Sequence, residues 1–143
     1  MDRTAQAIAC YKDGFHCSQA VLSAFADVVG LDDKTALKLS AGFAGGCGRA
    51  EMCGAVAAAL IVISLKYGKD TPKDRLADRR TFERVRAFSE KFEAKNGTLK
   101  CKNLLGFDIS TREGRKEAAK GKVFSTRCPG FVADAVEILQ EIL

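Results

Sequence analysis

A glycine-rich stretch that runs directly into an apolar segment constrains the fold of this chain more than any other feature. Residues 42–48 contain four glycines, two cysteines lie within residues 42–55, and residues 56–65 are almost entirely apolar. Glycine tolerates positive φ and allows close approach of the backbone to other groups. We therefore expect a tight, irregular loop that leads into the N-terminus of a buried helix.

The second cysteine of this stretch, Cys53, stands where the buried helix is expected to begin. Apolar residues follow it at the +3, +4, +7 and +8 positions, which is the spacing of one helical face. Unpaired N–H groups and the helix dipole favour negative charge at a helix N-terminus, and this lowers the pKa of a thiol there. We predict that Cys53 points at the core and has a lowered pKa.

Two further cysteines have similar surroundings. Cys17 is followed by apolar residues at +3, +4, +7 and +11, and Cys128 precedes the apolar face of the last predicted helix, with Pro129 in its first turn. His16, the only histidine of the sequence, could donate a proton or place positive charge beside Cys17. Because adjacent helical residues do not face each other, we expect His16 instead to be a capping or surface residue.

Three inward-facing cysteines at helix starts predict a cysteine cluster. If these helix ends meet, the cluster forms near the loop at residues 45–48. Cys101 is expected to be its fourth member, and the lysines on either side of Cys101 are expected to favour its thiolate.

Helical periodicity and helix-capping residues occur along the whole chain. We expect an all-α bundle of seven or eight helices in one domain, residues 1–143, with no alternating strand and no internal repeat. The fifth helix is expected to start at a Thr71 cap and to run to about Lys95. Its apolar side, which we expect to face the core, consists of Leu76, Phe82, Val85, Phe88 and Phe92. Ser110 is expected to cap a basic helix that runs through Lys120.

Composition favours a cytoplasmic protein with no membrane span. The longest apolar run, residues 55–65, is about half of the roughly 20 residues that a bilayer span needs, and residues 1–6 lack the apolar part of a signal peptide. Residues 66–122 carry 17 of the 23 basic and 9 of the 18 acidic residues, which gives this segment a net charge of +8. Because these charges alternate in sign, we expect a solvated surface and no nucleic-acid partner.

The six cysteines contain no C-x-x-C pair, and cytoplasmic thiols are usually reduced, so redox or metal-binding roles are favoured over structural disulfides. In one hypothesis Cys17 and Cys53 cycle through a disulfide, while Cys101 and Cys128 resolve or extend the exchange with a redox partner protein or a small thiol. In the alternative, the same four thiolates bind an iron-sulfur cluster or a zinc ion.

A third hypothesis concerns the glycine loop, where a phosphate-bearing ligand could bind before the helix. The residues that would form this site are Gly45, Gly46, Gly48 and Arg49. The Lys-Ser/Thr pair of a P-loop is missing, which weighs against this hypothesis. The roles of Cys10 and Cys47, a pairing of Cys47 with Cys53, and assembly into a homodimer are left open.

The ordered motifs of the chain resemble those of the C-GCAxxG-C-C family of redox-active proteins. They are G-x-x-C-S-Q-A-V at 14–21, G-x-x-G-G-x-G-R-x-x-x-C-G-A at 42–55, C-x-x-L at 101–104 and C-P at 128–129. The resemblance covers nearly the whole chain and implies redox activity without specifying a reaction. The four family cysteines correspond to Cys17, Cys53, Cys101 and Cys128. One departure is Ala58, which stands where the family motif has a glycine and is small enough to keep close helix packing.

Overall fold

A computed structural model describes residues 2–143 of the chain. Its helices are α1 (Arg3–Lys12), α2 (Cys17–Ala24), α3 (Ala26–Val29), α4 (Asp33–Ser40), α5 (Gly54–Tyr67), α6 (Arg75–Asn96), α7 (Cys101–Leu105), α8 (Arg112–Lys120), α9 (Val123–Thr126) and α10 (Cys128–Ile142). A short 3₁₀ turn, Ala41–Phe43, follows α4. The expected all-α bundle is confirmed.

The described residues contain no regular strand, and their one β-type contact is an isolated antiparallel bridge between Met52 and Lys100. Without the four-residue helices α3 and α9, the bundle has eight helices, as the periodicity predicts. Only Phe25 separates α3 from α2, and Gly30 ends α3 in the left-handed conformation, which glycine adopts without steric cost.

Helix α5 lies at the centre of the bundle. It packs against α2, α6 and α10, and nearly all of its first ten residues are buried. Ala55, Ala58 and Ala59 are completely buried, and their small side chains allow the neighbouring helices to approach closely. Although α5 is strongly apolar, none of the helices in residues 2–143 has the combined length and hydropathy that crossing a membrane requires.

Helix α6 corrects two expectations. It begins at Arg75, because the Asp74 carboxylate accepts the Ala77 N–H at 3.0 Å and caps the helix, so Thr71 is not its cap. Phe88 and Phe92 are fully buried and stack with ring centroids 6.0 Å apart, and Val85 is half-buried.

The other two apolar residues of α6 do not face the core. Leu76 is 52% exposed and Phe82 is 55% exposed. At about 100° per residue, each lies about 120° around the helix from Phe88, on opposite sides of it. The predicted apolar side of α6 is therefore wider than the strip that α5 and α10 cover.

The C-terminal third of the chain adds a smaller apolar cluster. Its buried members are Cys101, Leu105, Ala118 and Val123, and Phe131 packs against both this cluster and the main core. Helix α8 is capped by Thr111, whose hydroxyl accepts the Gly114 N–H at 2.9 Å. The Ser110 cap is therefore wrong, because that hydroxyl donates to the Asp108 carboxylate instead.

Candidate functional site

The four motif cysteines all lie at helix N-termini. Cys17, Cys101 and Cys128 are the first residues of α2, α7 and α10, and Cys53 is the cap residue directly before α5. Three of these positions follow from the apolar periodicity after each cysteine. The helical start at Cys101 is less evident from the sequence, since α7 is only five residues long.

The four helix N-termini meet around one cavity of about 470 Å³. All four cysteines line it, together with an apolar wall, one phenol, one imidazole and one guanidinium. The other side chains that line it include Tyr11, His16, Leu104, Leu105, Ile109, Arg115, Phe124 and Phe131. Gly45 and Gly48 of the glycine loop also line the cavity. We refer to Cys17, Cys53, Cys101 and Cys128 as the cavity thiols.

Hydrogen bonds from the residues after Cys17 hold the start of α2 in place. The buried Ser18 hydroxyl donates to the Ser40 carbonyl at 2.8 Å, and the Gln19 side-chain amide donates to the Leu37 carbonyl at 3.0 Å. The last turn of α4 therefore fixes the N-terminus of α2. The C-S-Q sequence thus has a structural role beyond its cysteine.

Two backbone hydrogen bonds bring Cys53 and Cys101 to the same wall of the cavity. The Cys53 N–H donates to the Leu99 carbonyl at 2.8 Å, and the Cys101 N–H donates to the Glu51 carbonyl. These bonds flank the bridge between Met52 and Lys100. The chain before α5 is thereby tied directly to the chain before α7.

The glycine loop forms a run of left-handed residues, in which Gly45, Gly46, Cys47 and Gly48 all have φ between 59° and 73°. A Cβ on Gly46 would lie 2.7 Å from the Cys101 Cβ, and a Cβ on Gly54 would lie 2.7 Å from the Cys17 Sγ. Such approaches are too close for any side chain, so these two glycines allow the loop and α5 to pack directly onto two of the cavity thiols.

The prediction of a lowered thiol pKa for Cys53 is wrong. Hydrogen bonding from the Ala55 and Val56 backbone lowers its pKa, as expected at a helix N-terminus, but burial outweighs this and raises the pKa of Cys53 to about 11. Burial and the nearby Cys53 also raise the pKa of Cys17 far above its ordinary value. The backbone N–H groups at the helix N-terminus lower the pKa of Cys53 as expected, and their effect is weaker than that of burial.

Cys101 likewise does not gain a stabilised thiolate from its flanking lysines. Burial, followed by the negative charges that Cys53, Cys128 and Asp108 can carry, raises the pKa of Cys101 to about 12. Cys101 is only 7% exposed, whereas the Lys102 ammonium extends towards Glu51, 4.0 Å from its carboxylate. The positive charge is therefore directed to the surface and away from the thiol.

Cys128 differs from the other cavity thiols because it has a side-chain partner. Burial raises its pKa, and the Tyr11 hydroxyl, which lies close enough to donate to the thiolate, opposes this. In the structure the Tyr11 hydroxyl donates its one proton to the Phe124 carbonyl at 2.7 Å, so it must turn from that carbonyl to donate to a Cys128 thiolate. Burial raises the pKa of this phenol well above its ordinary value, so it is neutral. Sequence reasoning missed Tyr11, because one tyrosine on the first amphipathic helix carries no distinguishing signal.

The remaining candidate residues lie at the edge of the cavity or outside it. His16 is the exposed cap residue of α2, as expected, with its backbone N–H donating to the Gln19 side chain at 2.9 Å, and it lines the cavity rim. Arg49 is exposed and does not line the cavity. Cys47 is exposed, and Cys10 is half-buried beside the Ser23 hydroxyl, away from the cavity.

All six cysteines have free thiols in the structure, so Cys47 and Cys53 are not joined. Among residues 2–143, no three or more histidine, cysteine, aspartate or glutamate side chains are arranged so that they could hold a metal ion. The described residues therefore form no preassembled zinc or iron-sulfur site. The structure places four protonated thiols in one apolar cavity.

Comparison with known proteins identifies the family. A family model described as "Putative redox-active protein (C_GCAxxG_C_C)" matches residues 15–142 of the chain. The chain therefore belongs to the C_GCAxxG_C_C family. No curated protein and no solved structure matches it significantly.

Proposed function

We propose that this chain is a thiol redox protein in which the cavity thiols exchange electrons by forming and breaking disulfides. The observation that carries the proposal is that four cysteines, from four separate helix N-termini, line a single cavity. The proposal places the protein in the cytoplasm, where reduced thiols are the resting state. Its partner would be a redox protein or a small thiol compound.

Cys17 and Cys53 are the proposed primary pair. The Cys17 Sγ packs so closely against Gly54, the residue after Cys53, that no Cβ fits between them. Oxidation of the pair forms one S–S bond and releases two electrons and two protons to the acceptor. Cys101 and Cys128 then resolve or extend the exchange, which proceeds through a mixed disulfide with the partner.

Cys128 is the proposed thiol that extends the exchange to a disulfide substrate: it attacks the substrate, and the mixed disulfide that forms on Cys128 is then exchanged onto the pair of Cys17 and Cys53. Attack requires a thiolate, and among the cavity thiols Cys128 alone has a side-chain hydrogen bond that lowers its pKa. It is also less deeply buried than Cys53 and Cys101. The Tyr11 hydroxyl would stabilise the negative charge that forms on Cys128 when the substrate is attacked.

Because the pKa values of the cavity thiols are raised, reduction of a disulfide between them should be coupled to proton uptake. Because Cys53 ionises at about 11, a disulfide that includes it should take up two protons with two electrons throughout the neutral range. The midpoint potential should then fall by about 59 mV per pH unit between pH 6 and 9, with no break. A break near pH 7 would mean that a thiolate is present, contrary to the proposed buried pair.

The proposal is tested by anaerobic thiol counting and disulfide mapping on the wild type and on single cysteine variants. Cys53→Ser and Cys17→Ser should abolish reversible two-electron oxidation of the primary pair. Cys10→Ser removes a thiol outside the cavity and should leave the oxidation unchanged, so it is the matched control. Full reversible oxidation in Cys53→Ser would refute the proposed pair.

The same preparation distinguishes the iron-sulfur or zinc alternative. Protein purified without oxygen would be analysed for iron, zinc and acid-labile sulfide before its thiols are counted. Stoichiometric metal with few reactive thiols would show that the cysteines rearrange to ligate it, and would overturn the thiol proposal. Four reactive cavity thiols that oxidise reversibly would support it.

A further inference from the structure

The mouth of the cavity carries a cation that the thiol chemistry does not use. Arg115 of α8 lines the cavity, and its guanidinium donates to the Ile109 carbonyl at 3.2 Å and to the Ser110 carbonyl at 3.3 Å. Both acceptors are neutral, and among residues 2–143 no carboxylate lies within ion-pair distance of Arg115. The guanidinium is thus held in position at an exposed rim, without an ion-pair partner.

The acidic residue of the preceding loop does not compensate this charge. The Asp108 carboxylate accepts hydrogen bonds from both the N–H and the hydroxyl of Ser110, which direct it into its own turn. Arg115 therefore keeps free N–H donors at the rim. A guanidinium with free donors binds a carboxylate through two parallel hydrogen bonds, a geometry that an ammonium cannot provide.

The interior beyond Arg115 has the opposite character. Its walls are Leu104, Leu105, Ile109, Phe124 and Phe131, together with the cavity thiols. A volume of about 470 Å³ lies in the range of sites that bind small molecules. The cavity therefore combines one cationic end, an apolar body and a reducing group.

We propose that the cavity binds an alkanoate that carries a reducible disulfide, with its carboxylate on Arg115 and its alkyl chain along the apolar wall. This inference rests on the proposed function and names its substrate class. In the reaction, the S–S bond of the substrate is cleaved to two thiols and takes up two electrons and two protons. Oxidation of two cavity thiols to one disulfide supplies both.

Binding is tested first with a compound that cannot react. Octanoate, titrated by calorimetry into the reduced protein, should bind about tenfold more tightly than octanamide, because only the charged carboxylate can accept two parallel hydrogen bonds from the guanidinium. Arg115→Gln should remove this preference, while its amide can still donate to the loop carbonyls. Arg112→Gln is the matched control, since it removes the same charge from the same helix at an exposed position that does not line the cavity.

Reduction is then tested with lipoate, whose alkyl chain joins a cyclic disulfide to a carboxylate, and with its neutral amide, lipoamide. In single turnovers of the reduced protein, Arg115→Gln should raise the lipoate concentration that gives the half-maximal rate about tenfold, leaving the maximal rate and the reaction with lipoamide unchanged. Equal octanoate binding by wild type and Arg115→Gln would overturn the inference, whether or not the thiols cycle. Arg115-dependent octanoate binding without any thiol cycling would instead refute the proposed function and leave a carboxylate site.

Discussion

Burial has different consequences at the two ends of helix α5. At its N-terminus, four cysteines that include Cys53, two of them buried and two half-buried, surround a cavity that stays open. Further along, Val62 and Ile63 belong to a filled core with Phe88 and Phe92 of α6. Burial stabilises the core because its side chains are apolar. At the cavity the same exclusion of water acts on ionisable thiols, so it raises their pKa values.

The largest effect expected from this difference is a steep loss of stability in alkali. Folding raises the pKa of Cys17, Cys53 and Cys101 above the ordinary thiol value. Between pH 9 and 11 the unfolded chain therefore releases protons that the folded chain keeps. The contribution of these protonated thiols to the stability of the fold is complete below the thiol pKa of the unfolded chain. It is lost as the pH rises towards the thiol pKa values of the folded protein.

For three such thiols, the free energy of unfolding should fall by about 4 kcal/mol per pH unit in this range. Urea denaturation at several pH values measures the slope. Cys53→Ala should reduce the slope by about 1.4 kcal/mol per pH unit. A slope that is the same in wild type and Cys53→Ala would contradict the raised pKa of Cys53.

A core substitution should lower stability without altering the chemistry of the cavity. Phe88 is fully buried and stacks on Phe92, so Phe88→Ala should cost about 3–5 kcal/mol. The curve of stability against pH should shift down in parallel, and the thiol oxidation pattern of the folded protein should stay unchanged. A change in the slope of the free energy of unfolding between pH 9 and 11 would show that the core and the cavity are energetically coupled. It would contradict the separation of the two regions.

The sequence predicts the core better than it predicts the cavity. Apolar periodicity locates α2, α5 and α10 and points to the cysteines at their starts, because both depend on spacing along one helix. The exposure of Leu76 and Phe82 is not predictable in this way. Periodicity defines a helix face, whereas the width of the covered strip depends on how the neighbouring helices cross it.

The thiol pKa values in the cavity depend on opposing effects whose relative size cannot be read from the sequence. A helix N-terminus lowers the pKa of Cys53 and burial raises it, and the outcome depends on how much water the assembled fold excludes. Tyr11 and Arg115 gain their significance from where α1 and α8 place them. Neither residue belongs to a motif, so no spacing could have identified it.

A pair of glycine substitutions separates backbone strain from close packing at the cavity. Gly46 and Gly48 both have positive φ, 64° and 73°. A Cβ on Gly46 would lie 2.5 Å from the Glu51 nitrogen and 2.7 Å from the Cys101 Cβ, whereas a Cβ on Gly48 would meet nothing within 4 Å. A side chain would therefore be strained by the positive φ at both positions, but only at Gly46 would its Cβ also collide with neighbouring atoms.

Gly48→Ala should therefore cost about 1–2 kcal/mol, from the left-handed conformation alone. Gly46→Ala should cost about 2–4 kcal/mol, since overpacking adds to the strain. Displacement of the loop should also speed alkylation of Cys101 in Gly46→Ala, as measured by mass spectrometry. Equal costs for the two substitutions would mean that the approach to Cys101 is not tight.

The smallest effect is expected from the two tyrosines, which are matched because each donates to a backbone carbonyl in its own region. Tyr11 donates to Phe124 at 2.7 Å beside the cavity, and Tyr67 donates to Leu143 at 3.4 Å beside the core. Either change to phenylalanine should cost at most about 1 kcal/mol of stability. Only Tyr11→Phe removes the hydrogen bond that lowers the pKa of Cys128, so it should slow alkylation of Cys128 at pH 8. Equal alkylation rates in Tyr11→Phe and Tyr67→Phe would exclude Tyr11 as the group that prepares Cys128 for attack.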